Sequence, residues 1–385
     1  MKILLVAYVD TNFGDNLFVQ IITSRYPKDK FYMIQKKGYE KSYQLLAEKI
    51  PNLNVVKEES NYLEEVDGMM IVGGDMFWDY DDYSLLISQA SSIKNRGGQV
   101  AIIGISLFPK YSRRTWFDLQ VLFSYADVIL VRERKTYEQI KEKNFKLPVI
   151  AATDLALTVN VDEIKENVAQ KGLLGISVRK KEQKQSELYY PRYCRNVADS
   201  IVKYLEESEQ HKVKLLALSS GRIDDRTAAS DIIELCPKYL HERITCSAFT
   251  GDVNEYLLEM QKCDKLLCTR FHALVFAILL HKPFLPIIYE EKMDRLLDEI
   301  GYRNIRLRYE DGWSSENILE NILENQYDEA KFSGYKNEAE SIFIHVDKAM
   351  KKNRKKGMFV YRLYLCKEYA RRLCHVIKMC TKKKV

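Results

Sequence analysis

The feature that most restricts the fold is a strand, turn, helix, strand succession from Cys263 to Lys292, CDKLLCTRFHALVFAILLHKPFLPIIYEEK. Lys265–Cys268 reads as a short buried strand, Thr269-Arg270-Phe271-His272 as a polar turn, Ala273–Leu280 as an apolar helix and Phe284–Ile288 as a second strand. This is the parallel crossover unit. Its turn lies at the carboxyl end of a strand and the amino end of a helix, where such sheets bind ligands. With Phe271 packed inward, Arg270 and His272 face one cleft. The first is a permanent cation suited to phosphate or carboxylate; the second holds or gives a proton near neutral pH. An arginine at a helix start opposes the helix dipole, so it is not there to stabilise the helix. The structural alternatives are an ion pair with a carboxylate such as Asp264 and a satisfied polar histidine.

The same alternation runs through most of the chain. Strands are predicted at Ile3–Ala7, Phe31–Ile34, Leu53–Val56, Gly68–Val72, Val100–Ile105, Asp127–Val131 and Val149–Ala151, with amphipathic segments between them such as Tyr83–Asn95 and Trp116–Tyr125. A second series follows at Leu173–Val178, Val213–Leu218, Ile244–Cys246, Lys265–Cys268 and Phe284–Ile288, with helices at Tyr193–Glu207, Thr227–Leu235, Asp252–Met260 and Ala273–Leu280. The expected class is α/β, two Rossmann-like doubly wound domains in tandem, 1–160 and 170–310, joined by a polar stretch. The total of 385 residues suits two domains of roughly 100–200 residues. A cleft between two such domains is a common ligand site. A charged helical extension, 311–350, and a basic tail, 351–385, complete the expected organisation.

Charge separates body from tail. From Met350 to Val385 there are 13 Lys or Arg against one acid, Glu368, so this segment carries +12 while the whole chain carries +6. The body is therefore mildly acidic. The tail alternates basic residues with an apolar face of Leu365, Tyr369, Leu373, Val376 and Ile377, a basic amphipathic helix suited to an anionic membrane. A helix docked on the body or on a partner is the alternative. An acidic body without a recognition motif argues against nucleic acid. Eight cysteines without a C-x-x-C pair read as reduced, buried thiols of a cytosolic protein, and no metal-ligand spacing is present. No signal peptide and no membrane span is visible, so the expectation is a cytoplasmic protein, peripheral on the inner face of a membrane if the tail binds there.

Five more sites fall at predicted carboxyl edges. Asp10-Thr11-Asn12-Phe13-Gly14-Asp15-Asn16 is a polar loop leading into a helix. Asn12, Gly14 and Asp15 are candidate ligand contacts, with a capping loop as the alternative. Gly14 permits a backbone angle or a close approach that a side chain forbids. Gly73-Gly74-Asp75 follows Gly68–Val72; the glycines would let a ligand reach the backbone, and Asp75 and Asp79 could accept from sugar hydroxyls beside the stacking face of Trp78. A tight turn with solvated acids is the alternative. Arg179 ends the strand Leu173–Val178, at the same edge as Arg270 and His272, with Lys180 and Lys181 following as in a solvated basic turn. Arg132 ends a strand in the first half and suits a structural ion pair. Tyr289 and Lys292 follow Phe284–Ile288 and could complete an anion site. No G-x-G-x-x-G is present, which leaves a dinucleotide site little support.

Taken together, these residues resemble the polysaccharide pyruvyl transferase family over roughly Lys2 to Gly301. The resemblance is carried by Thr269-Arg270-Phe271-His272-Ala273, by His281-Lys282-Pro283-Phe284 and Tyr289-Glu290-Glu291-Lys292, by Asn12-Phe13-Gly14-Asp15, by Gly73-Gly74 and by Ser177-Val178-Arg179. It implies a GT-B-like fold, phosphoenolpyruvate as donor, and a cell-surface polysaccharide sugar, free or lipid-linked, as acceptor. It further implies that Arg179 and Arg270 hold the donor's phosphate and carboxylate and that His272 is the acid/base. No cofactor and no metal is expected. Asp75 stands where the family often has a third glycine, and Thr269 where it usually has Ser. On this expectation protonated His272 gives the donor's methylene carbon its proton. A GT-B-type glycosyltransferase using a nucleotide sugar is the competing enzyme reading, since one fold serves both chemistries; a non-catalytic membrane scaffold is the third.

Overall fold

The computed structural model describes residues 1–57, 65–143, 147–161, 169–180, 186–314, 318, 321–322 and 327–351. Strands β1 (Lys2–Val6), β2 (Lys30–Ile34), β3 (Leu53–Val56), β4 (Gly68–Val72), β5 (Gln99–Ile105), β6 (Val128–Val131) and β7 (Val149–Ala151) form one sheet in the order β3-β2-β1-β4-β5-β6-β7. Strands β8 (Gln170–Ser177), β9 (Lys212–Ala217), β10 (Ile244–Ala248), β11 (Cys263–Cys268), β12 (Phe284–Ile288) and β13 (Leu307–Arg308) form the other, in the order β10-β9-β8-β11-β12-β13. Every pairing in both is parallel.

The strand sequences explain this. In β4 (GMMIV), β6 (VILV) and β12 (FLPII) every residue is buried, as helices on both faces require. Those helices are α1 (Phe13–Arg25), α2 (Glu40–Lys49), α3 (Ser84–Asn95), α4 (Arg113–Ser124) and α5 (Arg134–Glu142) in the first half. The second half has α6 (Ser186–Glu206), α7 (Asp225–Leu235), α8 (Val253–Lys262), α9 (Phe271–Leu279) and α10 (Glu291–Glu299). Each sheet reverses its winding once, between β1 and β4 and between β8 and β11. Crevices at such reversals are where open parallel sheets take ligands.

Helix α1 clasps the halves together. Phe13 packs edge-on against Phe249 and Phe276, at centroid distances of 5.6 and 5.5 Å, and tilted against Tyr256 at 5.3 Å. Its backbone N–H donates to Leu218 O at 2.9 Å, and Asn12 bridges Ser219 antiparallel. Beside it, the Asp10 carboxylate accepts the Arg222 N–H at 3.1 Å. One apolar core therefore runs from the lower face of the first sheet into the second half, and a second core lies on the other face of the first sheet.

Three details differ from the sequence reading. Helix α9 starts at Phe271, not Ala273, because the Ser177 hydroxyl accepts the N–H groups of Thr269 (2.8 Å) and Arg270 (3.1 Å) and fixes the helix entry. Strand β13 is two residues long and carries no pattern to read. Within 311–350 the long helix is Glu329–Met350, which returns to the first half, where the Tyr26 hydroxyl donates to Asp347 at 2.8 Å. The basic tail lies outside the described residues, apart from Lys351. Among the described residues no helix is long and apolar enough to cross a membrane.

Candidate active site

Where the two reversal points face each other they enclose a cavity of about 250 Å³. The first half contributes the β1–α1 loop (Tyr8, Asn12, Gly14, Asp15), the turn after β4 (Gly74, Asp75, Met76, Trp78) and Arg132 after β6. The second half contributes Arg179 after β8, Arg222, Arg270 and His272 after β11, and Tyr289, Glu290 and Lys292 after β12. Of the residues singled out by sequence as ligand contacts, Asp79 stands back from the wall, and so does Gly73. Its φ of 149° and the position of Met76 Sδ, 2.7 Å from any Cβ placed there, give it a conformational task.

Arg270 is buried, and its partner is Asp225, not Asp264. Its Nε donates to Asp225 Oδ2 at 2.9 Å and its Nη2 to Asp225 Oδ1. Asp225 is fully buried at the start of α7 and also accepts the Ser219 N–H at 3.1 Å. This two-pronged pair locks the guanidinium plane and leaves Nη1 outside it. Burial lowers the pKa of Arg270, but Asp225 more than reverses that, so its charge is permanent. Asp264 instead accepts the Gly172 N–H at 3.2 Å.

On the other wall Arg132 is equally buried and more heavily partnered. Its Nε donates to Ser106 (2.7 Å), Nη1 to Asp154 (3.3 Å) and Nη2 to Asp75 (3.2 Å). A Cβ on Gly74 would collide with this guanidinium, so that glycine admits a side chain rather than a ligand. Asp75 also pairs with Lys292 across the cleft at 3.4 Å. Burial works against its ionisation, yet Lys292 and Arg132 hold its pKa at about 2. In this structure Asp75 is committed to cations, and Asp79 accepts the Ser112 N–H at 3.0 Å. Lys292 also pairs with Glu290 at 2.6 Å.

Arg179 is less committed. Nη1 reaches the Tyr289 hydroxyl at 3.3 Å, the guanidinium lies 4.4 Å from the Tyr289 ring centroid, and Glu290 stands 3.8 Å away. Its Nε is buried and makes no hydrogen bond with any described residue. The same holds for Nε2 of His272. The imidazole packs edge-on against Phe18 (5.4 Å) and Phe13 (6.5 Å), and a Cβ on Gly14 would overlap its Cε1 and Nδ1. What Gly14 lets close is thus the other half of the protein.

Burial, then Lys292, Arg132 and Arg270, push the His272 pKa down to about 4 against the opposing pull of Asp154. These surroundings favour the neutral imidazole, where the reading from sequence has it protonated. Asp15 behaves oppositely. Burial, helped by Asp75 and Asp10 and opposed by Lys292 and Arg132, raises its carboxyl to about 7. Sequence reasoning missed Asp225 and the cavity role of Arg132. Asp225 had a weak signal, an acid following Asp224 just before a predicted helix. Nothing local links it to a turn 45 residues later.

A family model described as polysaccharide pyruvyl transferase matches residues 12–291. No curated protein sequence matches the chain. In fold, the chain is similar to the UDP-GlcNAc 2-epimerase of Methanocaldococcus jannaschii, with a TM-score of 0.57 at 10% identity, covering 90% of this chain and 100% of that one. The Neisseria meningitidis UDP-GlcNAc 2-epimerase bound to UDP-GlcNAc gives 0.56 at 11% identity over 90% and 100%. A Staphylococcus aureus MnaA–UDP structure gives 0.51 at 11% over 97% of each chain. The fold is GT-B-like.

Proposed function

Because the chain belongs to the polysaccharide pyruvyl transferase family, we propose that it moves a pyruvyl group from phosphoenolpyruvate to a sugar of a cell-surface polysaccharide or its precursor, forming a ketal. The observation that carries this reading is the pair of buried polar atoms without a hydrogen-bond partner among the described residues, Arg179 Nε and His272 Nε2, in a small cavity edged by Arg270 and Lys292. Left without an acceptor, the Nε–H of Arg179 costs about 1–3 kcal/mol, which a dianionic ligand would relieve. The cavity's size agrees: about 250 Å³ suits a three-carbon phosphate ester, whereas drug-sized ligands occupy roughly 300–1,000 Å³.

Arg179 and the outward Nη1 of Arg270 grip the phosphate and carboxylate, and Asp225 keeps Arg270 from following the ligand. Tyr289 and Lys292 close the anion site, and Asn12, Gly14 and Asp15 bring the first half against it. The exposed Trp78, presented by the turn Gly73-Gly74-Asp75 that Arg132 holds in place, faces the acceptor. His272 handles a proton at its Nε2. The domain division follows the same lines: 1–160 on the acceptor side and 170–310 on the donor side, with the extension 311–350 tying them. The tail 351–385 holds the enzyme, on the cytoplasmic side, against anionic lipid near its acceptor.

Thermal shift separates the donors. Phosphoenolpyruvate is expected to raise the Tm, by an amount equivalent to about 2.7 kcal/mol at a hundredfold excess over Kd, and Arg179→Ala to abolish the rise. Stabilisation by UDP-GlcNAc but not by phosphoenolpyruvate would overturn the proposal in favour of a nucleotide-sugar glycosyltransferase. For the tail, cosedimentation with phosphatidylglycerol vesicles should be lost on deleting 352–385; equal binding by the truncated protein sinks that part alone.

A further inference from the structure

Ketal formation from an enol phosphate moves two protons in opposite directions. The methylene carbon must gain one and the attacking hydroxyl must lose one, and two groups facing one cavity can do this without one imidazole having to serve as both acid and base. This inference rests on the pyruvyl-transfer reading. We propose that Asp15 is the acid that protonates the donor's methylene carbon, and that His272 is the base that takes the proton of the attacking sugar hydroxyl.

The geometry supports this division. Asp15 sits in the first turn of α1, lines the cavity, and makes no hydrogen bond or ion pair with any described residue. Every other carboxylate on the cavity wall is spoken for: Asp75 by Arg132 and Lys292, Glu290 by Lys292 and Arg179. The residue before Asp15 is Gly14, whose bare backbone abuts the His272 ring, so the carboxyl and Nε2 enter one small space from the two halves. The groups facing Asp15 are Lys292 at the start of α10, Asp75 after β4, Arg132 after β6 and Asp10 in its own loop. Those facing His272 are Asp154, Lys292, Arg132 and Arg270. Their balance leaves the carboxyl able to hold a proton near pH 7 and the imidazole able to accept one.

The steps then close. The Asp15 proton goes to the methylene carbon, whose π pair forms the new C–H bond, and the central carbon becomes electrophilic. A sugar hydroxyl oxygen bonds to it, and its proton goes to His272 Nε2. The carbon–oxygen bond to phosphate breaks, and phosphate leaves with the pair and the imidazolium proton. A second hydroxyl bonds to the same carbon and returns its proton to Asp15. Both side chains end as they began.

Proton uptake on binding tests this without an acceptor. Phosphoenolpyruvate is titrated calorimetrically into the full-length protein at about pH 8, in two buffers of different ionisation enthalpy, where Asp15 is mostly ionised before binding and the incoming anion recharges it, giving uptake of about one proton. Asp15→Asn should bind at least as tightly but lose that uptake, while Asp15→Glu and His272→Gln keep it. Melting curves establish that each variant is folded, and the glutamate and glutamine variants decide the matter if the asparagine variant is not. Uptake that vanishes in His272→Gln and survives in Asp15→Asn overturns the assignment, as does absence of uptake in the wild type. No binding of phosphoenolpyruvate by the wild type is a different result: it overturns the pyruvyl-transfer reading and takes this inference with it.

Discussion

Arg132, after β6, and Arg270, after β11, are both 6% exposed, yet the two halves treat them differently. Arg132 spends all three of its nitrogens on Ser106, Asp154 and Asp75. Arg270 is held through two nitrogens by one buried acid, with Arg179 and Lys292 as further cations nearby. The first edge is thus neutralised by its own acids, whereas the second sets three cations, Arg179, Arg270 and Lys292, against two acids of its own, Asp225 and Glu290. A GT-B-like chain can in this way divide anion capture from wall-building, although both edges present an arginine at a strand end.

The sharpest way to break that comparison is to remove the acid partners of the two arginines and the contact between the halves. Asp225→Ala leaves a buried, uncompensated guanidinium and should cost about 3–5 kcal/mol in urea unfolding. Gly14→Ala comes next. Its new methyl meets the imidazole and should cost about 1–3 kcal/mol, as overpacking does. Most of that loss should return in the Gly14→Ala/His272→Ala double variant, because the residues are in direct contact. If the double variant is simply additive, the two halves are not closed through this contact. Asp75→Ala should be mild, about 0–1 kcal/mol, because its side chain is 40% exposed and Arg132 keeps Asp154. A loss as large as that of Asp225→Ala would erase the distinction between the edges.

How much of this was legible follows from the range of each interaction. Both parallel sheets could be read because apolar strands and their intervening helices are local patterns. So could the convergence of Arg179, Arg270, His272 and Lys292, because topology alone carries strand ends to one edge. Partner choice was not legible. Asp225 lies on another helix, and Gly74 looks like a ligand-admitting glycine until Arg132 is seen occupying the space. The electrostatic setting of His272 was not legible for the same reason: the fall in its pKa comes from burial and from cations after β6, after β11 and on α10, which no stretch of sequence displays together.

An effect that nearly cancels in the wild type joins the two edges through pH. Asp15 titrates at about 7 in the folded protein against an ordinary value of 3.8. Between these values the folded state holds a proton that the unfolded state has lost, so stability falls as pH rises. His272 titrates at about 4 against an ordinary 6.5. Across that window the unfolded state holds the proton, so stability rises with pH. In the wild type the two slopes oppose each other, and Tm should change little from these groups between about pH 4 and 6.5. Asp15→Asn removes the falling contribution, so its Tm should climb through that window relative to wild type. His272→Gln removes the rising one, and its Tm should drop. Parallel Tm curves for both variants would mean that neither group is buried in the cavity as described. Crossing curves would show that the carboxyl of one half and the imidazole of the other hold opposite protonation states because of where the closed cleft puts them.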